Sequence, residues 1–208
     1  MKVAVTVVAL LVLVTGPLVA GLTRPDDDLP GPPAGYADAT TTWLGLLVEA
    51  VPDARRVSIL VMLDASHDRD VAAWSAIAVA AGQAARRRAL HSETMTVRHR
   101  GDLLDAFVMM TQSRIDGVVV LPTRFAFDQA VEVAALAIRH RLPLIGGHRR
   151  FVDSGALMSY GICPGERASA MPAGPPARFE LVISARTARA LGLTIHPSLR
   201  RRADLIIE

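Results

Sequence analysis

The sequence predicts a three-layer α/β protein, a parallel sheet with helices on both faces. Three observations carry that expectation. Apolar residues make up 51% of the 208 residues and charged residues 21%, enough to bury a core in one domain. The strand-like segments are unbroken apolar runs, such as "VSILVML" and "GVVVLP". Each run is followed by a segment with apolar residues at helical spacing, and strands apolar on both faces need helices above and below them.

The elements follow in order. Residues 1–22, "MKVAVTVVALLVLVTGPLVAGL", have one lysine, a long apolar run, a Gly-Pro break and small residues after it, the order of a signal peptide or of an uncleaved N-terminal anchor. Residues 23–42, "TRPDDDLPGPPAGYADATTT", read as a linker rich in proline, glycine and aspartate. A short helix over "WLGLLVEAVPD" stops near Pro52, and a buried strand follows over Val57–Leu63. An alanine-packed helix runs through "DVAAWSAIAVAAGQAARRR", then a second strand through "HSETMTV". The next helix, "GDLLDAFVMMTQSR", is expected to turn Leu103, Leu104, Phe107, Val108 and Thr111 inward. "IDGVVVLP" is a third strand, and "FDQAVEVAALAIRHR" a helix with Phe127, Val131, Ala134, Ala135 and Ile138 inward. "LPLIGG" is the fourth strand.

The formal charge is +3, and its basic part is almost all arginine, because Lys2 is the only lysine. The arginines fall in groups at Arg86–Arg88, Arg98–Arg100, Arg139–Arg141, Arg149–Arg150 and Arg200–Arg202, mostly where helices are expected to end and cations favour the helix dipole. Aromatic residues are only 4%, which disfavours a nucleic-acid surface with rings to stack on bases. Cys163 is the sole cysteine, so neither an intramolecular disulfide nor a multi-cysteine metal site is available.

Ligands of parallel α/β sheets sit outside the carboxyl ends of the strands. The expected rim is therefore Asp64-Ala65-Ser66-His67, Pro122-Thr123-Arg124-Phe125 and Gly146-Gly147-His148-Arg149. No dinucleotide fingerprint or phosphate loop is present, and no cofactor is expected. "GGHRR" can offer backbone N–H groups to an anion or simply make a tight turn. Ser66 and Ser159 with His67 and His148 lack a nucleophile elbow, so no catalytic residue is assigned and the chain is not read as an enzyme. Asp64, His67 and Asp68 on one loop read as a helix cap with solvated side chains rather than a metal site.

Two long motifs, "RHRLPLIGGHRRFVDSGALMSYG" (139–161) and "RFELVISARTARALGLTIHPSLRRRADLIIE" (178–208), closely resemble the substrate-binding proteins of ABC importers. "LLVEAVPDARRVSILV" and "IDGVVVLPTRF" extend the resemblance backwards. It implies a periplasmic-binding-protein fold of the type with two similar lobes, of which residues 43–208 correspond to the second, with an irregular connector over 162–177 and the first lobe deleted. It also implies a small, amino-acid-like solute, an ABC permease as partner, and export to the periplasm or to the outer side of the inner membrane. By position, Asp64, Ser66, Pro122, Thr123, Arg124, Gly147, His148 and Tyr160 would line the solute site. The competing expectation is an exported interaction domain that has lost its solute and associates with itself or with a membrane partner.

Overall fold

The structure, a computed structural model, describes residues 36–64, 71–162 and 178–208. The expected leader, the linker up to residue 35, Ser66, His67 and the connector from residue 163 to 177 lie outside the described residues.

Among the described residues seven strands form one sheet: β1 (Arg56–Met62), β2 (His91–Val97), β3 (Gly117–Val120), β4 (Leu144–Gly146), β5 (Met158–Ile162), β6 (Phe179–Ser184) and β7 (Leu205–Ile207). Their spatial order is β2-β1-β3-β4-β5-β6-β7. The first five run parallel, β6 returns antiparallel to β5, and β7 lies parallel to β6. The helices are α1 (Tyr36–Ala50), α2 (Val71–Arg87), α3 (Leu103–Gln112), α4 (Arg124–Asp128), α5 (Ala130–Arg139), α6 (Arg150–Asp153), α7 (Ala185–Leu191) and α8 (Pro197–Arg202).

Alternate residues of the central strands feed two separate cores, because successive side chains of a strand point to opposite faces. Ile59 and Val119 join Trp43, Leu47 and Trp74 under α1 and α2. Leu60, Val118 and Val120 join Phe107, Val133 and Phe151 under α3, α5 and α6. Each fully buried Leu, Ile or Phe contributes on the order of 2 kcal/mol. The expected three-layer arrangement is therefore present, with an antiparallel turn-back at β6.

Local chemistry explains several boundaries. Asp116 Oδ2 accepts from the backbone N–H groups of Arg55 and Arg56, at 2.7 and 2.8 Å, and anchors the start of β1 beside β3. Ser184 caps α7 by accepting from Thr187 N–H, and Gly192, at φ 73°, ends that helix in the left-handed region. Pro197 opens α8, where its missing N–H costs nothing.

Three expectations are corrected. Residues 36–42 are helical, not linker: α1 starts at Tyr36, since Tyr36, Ala39, Thr40, Trp43, Leu47 and Ala50 continue one buried stripe. On α3 the buried face is Leu103, Ala106, Phe107 and Met110, leaving Leu104 46% and Val108 36% exposed and Thr111 at the surface. On α5 it is Ala130, Val133, Ala134, Leu136 and Ala137, leaving Val131 66% and Ile138 39% exposed along with Ala135. Phe127, expected to open that helix, is buried in the separate short helix α4. Two overlapping apolar stripes were open to each helix; on α5 the one rich in alanine took the sheet, where small side chains let the helix axis approach, and on α3 it was the one carrying Phe107 and Met110. Among the arginine groups, Arg86–Arg87, Arg139 and Arg200–Arg202 lie in last turns as expected, whereas Arg100 precedes α3 and Arg150 opens α6.

Candidate functional site

The strand order β2-β1-β3-β4-β5 reverses its progression between β1 and β3, the switch point at which parallel α/β sheets bind their ligands. Thr123, just beyond β3, sits across that point. Its hydroxyl is fully buried, donates to the Met62 carbonyl at the end of β1 at 2.5 Å, and accepts from Ala126 N–H at 3.1 Å, capping α4. One side chain thus ties the β1 end, the β3 loop and the following helix together. Asp64 lies two residues beyond Met62 on the same edge and is half-buried.

The β4 loop packs against the β3 loop. Gly147 lies so close to Pro122 that a methyl group there would come within 2.6 Å of the proline ring and 3.0 Å of Trp43. The Gly147 carbonyl accepts a long hydrogen bond, 3.4 Å, from the Tyr36 hydroxyl. Burial raises the pKa of that hydroxyl well beyond the usual phenol range, so it stays a donor.

His148 and Arg150 converge on Phe127. The Arg150 guanidinium lies 4.3 Å from the centre of the Phe127 ring, and the His148 imidazole meets the same ring edge-on at 5.0 Å. His148 Nδ1 accepts from Arg150 N–H at 3.1 Å, which requires the unprotonated nitrogen. Burial lowers the His148 pKa, the Arg150 charge lowers it further, and Asp153 opposes both. The imidazole is therefore a neutral donor through Nε2. Arg124 is held to Asp128, and Arg149 to Asp153, each one turn along a helix.

The edge thus brings together Asp64, Pro122, Thr123, Arg124, Gly147 and His148. Pro122, Thr123 and Gly147 are buried and engaged in joining loops, while Asp64, Arg124 and His148 keep partial exposure. Tyr160 is placed differently: its ring stacks on Phe179 at 5.2 Å, packs against the core beneath α1 and α2, and borders a groove beside α1. Ser66 lies outside the described residues. Ser159 Oγ is buried without a hydrogen-bond partner, so it makes no pair with His148. The Phe127–Arg150 stack escaped the sequence reading. Its signal was the position of both residues within one turn of rim loops. Among the described residues, no group of three His, Cys, Asp or Glu side chains is placed to hold a metal ion, and no helix is long and apolar enough to cross a membrane.

The fold is that of a single periplasmic-binding-protein-like lobe. No protein-family model and no curated protein matches the chain. Among solved structures, an ABC domain from Streptococcus pneumoniae in complex with L-Trp superposes with a TM-score of 0.66 at 18% identity, over 81% of this chain and 60% of its own. A conserved domain protein from Vibrio cholerae gives 0.65 at 17% identity, over 80% and 60%. A substrate-binding protein with adhesive properties from Clostridium difficile, in its ligand-free open form, gives 0.61 at 18% identity, over 79% and 58%. The chain spans about six tenths of the length of the structures it matches.

Proposed function

We propose that this chain is the solute-binding component of an ABC-type importer, exported behind residues 1–22 to the periplasm or held on the outer side of the inner membrane. It binds a small, amino-acid-like solute non-covalently at the carboxyl ends of the strands and presents it to a permease. The observation that carries this reading is the buried Thr123 hydroxyl joining Met62 at 2.5 Å, because it ties the carboxyl ends of β1 and β3 together at the switch point of the sheet. Asp64, Arg124 and His148 supply polar contacts there, on a footing held by Pro122, Thr123 and Gly147, and Ser66 is a further contact in this reading. The likeness to substrate-binding proteins, one of them holding L-Trp, supports a binding role.

One lobe offers one wall to a solute, so the affinity of this chain alone is expected at about the millimolar level. The test is a panel of L-amino acids and aromatic acids, L-tryptophan included, at several times that concentration. A rise in melting temperature with at least one solute, with NMR shifts at Thr123 and His148, supports the reading; no shift across the panel overturns it.

A second reading has its own support. Leu104, Met109, Val131 and Ile138 stand exposed on α3 and α5, on outward faces that favour self-association or a membrane partner. It predicts a dimer in sedimentation that the double variant Leu104→Glu, Val131→Glu returns to a monomer. A wild-type monomer at high concentration removes it.

A further inference from the structure

Away from the carboxyl edge, α1, α8 and the β5–β6 part of the sheet enclose an open groove of about 530 Å³. That lies within the range of small-molecule sites, roughly 300–1,000 Å³. Its floor is the Tyr160 ring and Leu181, and Leu46 forms part of one wall. The rim carries four charged side chains, Glu49, Arg88, Arg202 and Asp204, and their commitments differ.

Three of the four are satisfied within the protein. Glu49 accepts from Arg202 at 2.8 Å through one oxygen and from the Ser198 hydroxyl through the other. Asp204 accepts from Leu181 N–H at 2.8 Å and from Arg178 at 3.4 Å. Arg88 differs. Among the described residues its one hydrogen bond is from Nη2 to the Thr41 carbonyl at 3.2 Å, and no carboxylate there pairs with it. A guanidinium has five N–H donors, so most of its capacity faces outward.

The position of Arg88 depends on a glycine. The side chain leaves the end of α2 and lies over α1 at Gly45, where a methyl group would stand 2.9 Å from Nη2. Glycine in the middle of a helix is unfavourable relative to alanine. At Gly45 it gives the guanidinium a path over α1 to the groove.

We propose that this groove is a second binding site, for a small monocarboxylate with a flat apolar body. The carboxylate sits on Arg88 and the body lies on Tyr160 and Leu181. Because Glu49 and Asp204 are already engaged, an added amino group on the ligand gains nothing here, which separates this site from one built for a zwitterion. The proposal does not rest on solute capture at the carboxyl edge.

The experiment is an amide NMR titration of the full chain with phenylacetate, alongside its neutral isostere phenylacetamide. The expected result is saturable shifts at Gly45, Tyr160 and Leu181, with the amide at least ten-fold weaker. Arg88→Gln and Gly45→Ala should each weaken phenylacetate by a similar factor while the dispersed spectrum persists. No shift at these three residues, equal binding of the amide, or undiminished binding by Arg88→Gln overturns the proposal. Should a variant fail to fold, the acid-against-amide comparison on the unaltered protein decides. Shifts confined to Thr123, Gly147 and His148 would overturn the groove while supporting the edge, and the reverse pattern would do the opposite.

Discussion

The indole Nε1–H of Trp43 donates to the carbonyl oxygen of Tyr160 at 2.6 Å, joining α1 to β5 across 117 positions of sequence. Trp43 is fully buried, and its ring packs beside Tyr36 at 5.8 Å. Trp43→Phe keeps an aromatic ring and deletes the donor, so it isolates the hydrogen bond better than alanine does. The expected loss is about 1–3 kcal/mol, read as a fall of several degrees in melting temperature. An unchanged melting curve would show that the bond adds nothing to holding α1 down.

Thr123 offers a cleaner comparison, because its hydroxyl both donates to Met62 and caps α4. Thr123→Val preserves shape and removes both bonds, with an expected cost of about 1–3 kcal/mol. Thr123→Ser keeps the hydroxyl and should recover most of it. Urea denaturation midpoints give the answer, and equal midpoints for the two variants would contradict a hydrogen-bonding role.

Gly161 sits on β5 where a methyl group would collide with the Gly147 carbonyl oxygen and approach His148 N. Neither atom belongs to a side chain that can swing away, so Gly161→Ala must push the β4 loop. A loss of about 1–3 kcal/mol is expected, with NMR shifts concentrated at Gly147 and His148. Gly101→Ala is the control, since nothing lies within 4 Å of its added methyl.

The pH dependence follows from His148. Its pKa is lowered below the ordinary 6.5 by burial and by Arg150. The unfolded chain therefore takes up a proton before the folded one does. The contribution of neutral His148 is complete above about pH 6.5 and is lost as pH falls from there through the lowered folded value. Stability measured by urea at about pH 7.5 and about pH 5 should fall more steeply in the wild type than in His148→Gln. Parallel curves would place the imidazole in an environment no different from water.

The strands were legible because β1, β3 and β4 are apolar on both faces, and only a doubly covered sheet satisfies such runs. α1 was read too short, since the prolines before Tyr36 and the threonines after it hid a stripe that Trp43 and Leu47 continue. Of the edge residues, Thr123 and His148 were visible as loop positions. Their partners, Met62 61 positions away and Phe127 on its own short helix, depend on strand order, which no local pattern encodes.

By itself the sequence determined the alternation of strand and helix from α1 to β4, the parallel core and the edge on which its loops meet. Alternation and helical spacing are local, and local patterns specify which side chains must be buried. Only the tertiary structure decided which of two apolar stripes on α3 and α5 met the sheet. It also decided that Tyr160 faces the groove beside α1, and that Arg88 lies over α1 at Gly45. Each outcome depends on how closely two backbones approach, a distance fixed by packing between elements rather than by the pattern within any one of them.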